Sequence, residues 1–464
     1  MRIYMSKNRL LTGMLTVIMI LWAPINAFAY QGQGLVSYTE TTTTSQASSD
    51  PWPEAPSISA ESAILMDADS GAVLYEKDAH AKAYPASTTK IMTALLAIEN
   101  CSLEDTITFS RAAANSYKWD EANTGTKEGE EFTVEQALYA ILLKSANEVA
   151  YGLGEYISGS IPDFASLMNE RAKELGALNT HFNNANGLSD PDHYTTAYDL
   201  AMIGRACFDN TTFMNICSYS DTYRMPATNK TSTERTFTQR HGMAKNNGYA
   251  YEYFKGGKTG FTDESGYTLI TFVQKDDMRL ICVVFKENDD ASRYVDTKAL
   301  CDYGFNSFKK SAVSSDNISS LFNSSSYYSS GVFGSSTLNF TMNSSYIDLP
   351  NDVTLDQVTT TVTPDDTPDG ADFSATVSFQ LEGHDLGQTK VLVNVDKSQL
   401  AANLPAASTV YTTDYTPKKA IVVNIWLVII VLVAVGIIIE MLEIRKQNQE
   451  LRRRRRQARR RKLK

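Results

Sequence analysis

The chain is short of the residues that most often carry metal and disulfide chemistry. Its five cysteines, Cys101, Cys207, Cys217, Cys282 and Cys301, are odd in number and form no C-x-x-C pair. That argues against a zinc site and against a disulfide framework. They read mostly as small buried hydrophobes, with one bridge left open for an extracellular setting. The five histidines, His80, His181, His193, His241 and His384, stand beside no G-x-S-x-G elbow, so the chain offers no Ser-His-Asp hydrolase pattern. No metal or cofactor is expected. Positive charge is outnumbered in the body: the formal net charge is -10, yet twelve of the 43 Lys+Arg residues lie between Arg445 and Lys464. From Tyr30 to Ala420, 28 basic residues face 50 acidic ones, so nucleic acid is not expected as a partner, because its phosphates would be repelled.

Long apolar runs are confined to the two ends. Residues 1–29 combine Arg2, Lys7 and Arg9 with the apolar Leu10–Ala23 and end in Ala27-Phe28-Ala29, which reads as a cleaved secretory signal peptide. Residues 420–440 are apolar for about 20 residues, long enough for a transmembrane helix. The basic tail, 441–464, with Arg452–Arg456 and Arg459–Arg461, places the C-terminus in the cytoplasm by the positive-inside rule and suits an anionic lipid surface. Both ends agree on a single-pass plasma-membrane protein whose residues 30–419 lie outside.

Between them the composition changes several times. Residues 30–56 are polar and proline-punctuated and read as a flexible lead-in. Ala63–Met66 and Ala72–Tyr75 flank a glycine-containing turn and predict a hairpin. Thr133-Val134-Glu135-Gln136 is a capping box opening a buried helix that ends near Ser145. Tyr267–Val273 and Arg279–Phe285 predict a second hairpin, and Ser292–Tyr303 a helix. The folded unit is set at 57–310. A Ser/Asn-rich linker, 311–345, follows, and then a small β domain, 346–415, whose expected role is that of a spacer or contact module.

The reactive candidate is Ser87-Thr88-Thr89-Lys90, an S-x-x-K after Pro85 that opens an apolar helical stripe of Ile91, Leu95 and Ile98. Serine and lysine three residues apart share one helical face, so a neutral lysine could deprotonate the hydroxyl. Lysine serves so near neutrality only if burial or another cation disfavours its charge. The motif repeats at Ser307–Lys310 without such a stripe. Likewise Ser145-Ala146-Asn147 has a chance counterpart at Ser315-Asp316-Asn317, so neither motif persuades alone.

Together with Lys258-Thr259-Gly260 they stand in the order S-x-x-K, S-x-N, K-T-G of the penicillin-recognising serine enzymes. With Leu175–Leu188 and Asp199–Ile203, the stretch from Ser57 to Phe308 resembles the serine-type D-alanyl-D-alanine carboxypeptidases of the low-molecular-mass penicillin-binding protein family. The resemblance implies an α/β (α+β) transpeptidase/β-lactamase-like fold, an antiparallel sheet flanked by helices. It implies a serine peptidase acting on peptidoglycan stem peptides, with β-lactams as inhibitors. In that scheme Ser87 is the nucleophile, Lys90 its base, with Lys258 the second charge acting on it, and Ser145 a proton relay. Asn147 orients substrate, Lys258, Thr259 and Gly260 hold the terminal carboxylate, and the backbone N–H groups of Ser87 and Phe261 form the oxyanion hole.

Three features depart from the pattern. Thr238-Gln239-Arg240-His241 stands where relatives often carry Asn-x-Asn, leaving Arg240 as a candidate carboxylate ligand. Phe261 replaces the histidine of some relatives, and the anchor spans the membrane instead of lying on it. A β-lactamase is the nearest alternative, but Glu174–Asn179 misses E-x-x-L-N by one residue. A non-catalytic wall or β-lactam receptor is the other.

Overall fold

The computed structural model describes residues 51–118, 120–245, 247–314, 338–342, 346–364 and 372–395. The expected signal peptide and membrane span lie outside them, as does the basic tail. The hairpin of β1 (Ser62–Asp67) and β2 (Val73–Lys77) joins β3 (Phe254–Thr262), β4 (Gly266–Lys275) and β5 (Met278–Glu287) in an antiparallel sheet of order β2-β1-β5-β4-β3. Period-2 alternation then decides its two faces. Ile64, Met66, Ile270, Phe272, Ile281 and Val283 point into a helical core. Leu65, Leu269, Val273, Leu280, Cys282 and Val284 pack on the opposite side with Leu300 and Cys301.

The helical side contains α1 (Lys90–Asn100), α2 (Val134–Leu143), α3 (Asn147–Ser158), α4 (Ile161–Glu174), α5 (Ala197–Asp209) and α6 (Thr211–Cys217). The last helix, α7 (Ser292–Ser307), covers the other face of the sheet. Every residue of α1 from Lys90 to Ala97 is buried, as befits a helix that is apolar nearly all round. A lysine at its first position is therefore held in the core. Thr133 and Gln136 cap α2 reciprocally, as the sequence indicates.

Beyond α7, β6 (Phe308–Ala312) leads on to β7 (Leu338–Met342), β8 (Tyr346–Pro350), β9 (Thr359–Pro364), β10 (Asp372–Leu381) and β11 (His384–Val395). Strand β6 pairs with β8, and the remaining strands form a sheet of order β7-β11-β10-β9. Residues expected in a linker thus supply strand at both of its ends. Leu338, Phe340 and Met342 alternate with polar neighbours, a period hidden among the surrounding serines and asparagines.

The lead-in differs from expectation too. Trp52 stacks on His384 at 3.9 Å and meets Phe308 edge-on at 5.1 Å, and the Tyr303 hydroxyl donates to Pro53 O. Its end is therefore anchored, because an aromatic ring supplies the apolar area that a polar stretch otherwise lacks. At the same seam the Ser70 hydroxyl lies 2.9 Å from Asp67 and 2.7 Å from Asp348, both carboxylates fully buried. All five cysteines are free, and four of them are buried.

Candidate active site

Pro85 ends a loop, and a single 3-10 turn, Ala86–Thr89, precedes α1. The turn places half-buried Ser87 directly above the first α-helical residue, Lys90. Lys90 Nζ donates to Ser87 Oγ at 2.8 Å, to Asn147 Oδ1 at 2.8 Å and to the carbonyl of Asn186 at 2.6 Å. Three acceptors thus exhaust the donors of an ammonium, or orient the lone pair of an amine. Burial, the dominant cause, brings the Lys90 pKa down to about 7, opposed by Glu148 and Glu121 and aided to a smaller extent by Arg240. The sequence assigned that second charge to Lys258. In the fold Arg240 adds to it, and Lys258 is itself held well below its usual range by burial and then by Lys90, Arg240 and Arg293, so the two lysines repel one another. Two like charges so coupled titrate as a pair, and the repulsion disfavours the ammonium of both.

Asn147 heads α3, and its amide continues from Lys90 to Glu121 Oε2 at 3.3 Å. Ser145 lies in the short link between α2 and α3, 5% exposed and with φ at 66°. A non-glycine residue rarely adopts that left-handed region without a local reason. Its hydroxyl has no hydrogen-bond partner among the described residues.

Strand β3 brings the K-T-G segment against the serine turn. A Cβ on Gly260 would lie 3.0 Å from Pro85 O and from Ala86 Cβ, and 2.3 Å from Thr268 Oγ1. Only glycine permits that approach. Thr268 Oγ1 also donates to Pro85 O at 3.0 Å. Lys258 is 2% exposed, its ammonium donating to Thr259 O at 2.7 Å, while Thr259 is half-buried and the Phe261 ring, 50% exposed, rests on Tyr267. The site thus gathers Ser87, Lys90 and Asn147 by direct hydrogen bonds, and Gly260 by close packing.

Profile comparison matches residues 46–289 to peptidase family S11, the D-alanyl-D-alanine carboxypeptidases. The chain belongs to this family. The D-alanyl-D-alanine carboxypeptidase DacF of Bacillus subtilis is 32% identical over 255 residues, covering 54% of this chain and 63% of its own length. DacC of Escherichia coli is 31% identical, covering 55% and 64%. The chain therefore spans less than two thirds of the length of these curated relatives. Among solved structures, the Streptomyces K15 DD-transpeptidase is 27% identical and superposes with a TM-score of 0.52 over 55% of this chain and 100% of its own.

Measured against the S11 pattern, Gln239 and His241 are structural. Gln239 donates to Cys217 O at 2.8 Å and accepts from the His241 N–H; the buried His241 ring accepts from the Met243 N–H, so its other nitrogen donates to Thr271 Oγ1. Arg240, between them, is exposed and makes no ion pair among the described residues. Sequence reasoning missed Arg293, which lay on a helix read only for its apolar face. Its guanidinium braces the K-T-G strand through Gly260 O at 3.2 Å and packs on Tyr267 and Tyr294. Arg293 is itself paired with Asp290, so Arg240 is the arginine near Lys90 and Lys258 that lacks an ion pair among the described residues.

Proposed function

We propose that the chain is a serine D,D-carboxypeptidase of peptidoglycan stem peptides. One observation carries the reading: a buried lysine, poised near neutrality, donates to a half-exposed serine packed against the K-T-G strand. Neutral Lys90 accepts the Ser87 proton as Oγ bonds to the carbonyl carbon between two D-alanines. The backbone N–H groups of Ser87 and Phe261 are assigned to the oxyanion, the former at a helix start where negative charge is favoured. The C–N bond then breaks, and the amine leaves as D-alanine with a proton delivered through Ser145. Water adds to the acyl ester, and Ser87 is regenerated.

Lys258 and Thr259 are assigned to the substrate's terminal carboxylate, with Gly260 clearing space and Asn147 orienting the amide. A carboxylate arriving there restores the proton to Lys258, since an opposite charge favours the ammonium. Only a free C-terminus meets that cluster, which accounts for removal of a single residue. β-Lactams, mimicking the same terminus, acylate Ser87. The relatives' names supply the activity class, and the exported, membrane-anchored location rests on the two terminal sequences. The strands beyond α7 serve as a small β domain that spaces or docks the catalytic unit.

The test is D-alanine release from a peptide ending in Lys-D-Ala-D-Ala by the full chain and its Ser87→Ala form. Release by the parent alone supports the reading. Absence of release with Ser87 still labelled by penicillin points to the receptor, and rapid penicillin turnover to the β-lactamase.

A further inference from the structure

The residue before the nucleophile is strained. Ala86 sits at φ 49°, fully buried, in the left-handed region that an alanine rarely adopts. Its carbonyl is held from two sides. Thr89 Oγ1 donates to Ala86 O at 2.8 Å. Gly187, at φ 85°, packs so closely that a Cβ there would lie 1.8 Å from the same oxygen. Since a hydroxyl has one hydrogen, its aim depends on what occupies its lone pairs. His193 Nε2 lies 2.9 Å from Thr89 Oγ1, and His193 Nδ1 accepts from the Asn183 N–H at 3.1 Å. Because Nδ1 is an acceptor, Nε2 bears the proton and donates. The polarity of the chain is therefore fixed: Asn183 N–H to His193, His193 to Thr89, Thr89 to Ala86 O.

We propose that His193 is a positioning residue for Ser87, acting through the Thr89 hydroxyl to hold the strained Ala86 carbonyl. The inference rests on Ser87 as the nucleophile. It differs from a histidine that merely satisfies itself in the core, because the chain ends on the peptide unit joining Ala86 to Ser87. If that carbonyl is released, Ala86 relaxes toward right-handed values and Ser87 Oγ leaves its 2.8 Å contact with Lys90. His193 suits the task because it stays neutral: burial above all, against Asp190 and with smaller help from His181 and Lys90, brings its pKa down to about 3. It therefore contributes no acid limb of its own near neutrality.

The experiment uses the full chain in detergent and reads the acylation rate of Ser87 by a fluorescent penicillin, the pH profile and thermal stability. Thr89→Val and His193→Asn, which remove the hydroxyl and the Nε2-side donor, should slow acylation about 10- to 100-fold. Thr89→Ser and His193→Gln, which keep a donor in place, should remain within about threefold. The acid limb should stay where Lys90 sets it in all four. Equal slowing by Thr89→Ser and Thr89→Val, or parent-like rates in folded His193→Asn, would overturn the proposal, as would slowing that only tracks the unfolded fraction. Should the disruptive variants not fold, the histidine ring nitrogens of the parent decide by NMR: the Nε2–H tautomer supports the chain, and Nδ1–H refutes it. Peptide hydrolysis by the parent is scored separately, so a wrong substrate class leaves the acylation series intact.

Discussion

Acylation of Ser87 should depend on pH through Lys90. With the lysine half-deprotonated at about pH 7, the neutral amine falls tenfold for each unit below it, so at about pH 5 the rate should be roughly 100-fold under its plateau. The perturbation that tests the cause is Glu121→Gln, which keeps the acceptor for the Asn147 amide and removes one of the two carboxylates favouring the ammonium. The sign follows from which form loses support: without that charge the ammonium is less stable, the pKa falls, and the acid limb moves to lower pH. A carboxylate separated from an ammonium by one bridging amide contributes on the order of 2 kcal/mol at an effective dielectric of 20. Glu121 is only half-buried, and solvent screening reduces the expected shift to roughly 0.5–1 pH unit. The assay is the second-order rate of penicillin labelling between about pH 5 and 9 in parent and variant. A profile flat across neutrality, or a limb displaced upward, would refute the assignment of Lys90 as base.

Lys258→Ala should raise KM for the peptide on the order of 10- to 100-fold, through loss of a carboxylate ligand, while leaving the acid limb of penicillin acylation in place; steady-state kinetics alongside the labelling profile check both. Gly187→Ala should destabilise the chain by about 3 kcal/mol or more, since its Cβ would meet Ala86 O at 1.8 Å, and scanning calorimetry should show the melting point lowered by roughly 6 °C or more. At the seam between the two sheets, burial and then Asp67 raise the Asp348 pKa to about 8. The folded chain therefore holds a proton that the unfolded chain releases above about pH 4, and the stabilisation is lost as pH rises toward 8. Asp348→Asn should flatten that loss, seen as a smaller fall in melting temperature between about pH 6 and 9.

The sequence by itself determined the order and chemistry of the site, because S-x-x-K, S-x-N and K-T-G are local patterns. A serine and a lysine three residues apart must share a face of whatever helix they begin. It also determined both central hairpins and the capped helix, whose periods and caps are written within a dozen residues. What it left undecided depends on residues far apart in the chain. That Arg240 assists burial in setting Lys90, and that Lys258 is buried and coupled to it, follows from burial depth and from three-dimensional charge placement, neither of which spacing encodes. Arg293 reaches the K-T-G strand only because α7 packs across the sheet, and Trp52 is packed against Phe308 and His384, far along the chain. The strain at Ala86 and its support by Thr89, Gly187 and His193 exist only in the assembled core. Hydrogen-bond direction and backbone strain are set by tertiary neighbours, and a linear pattern records neither.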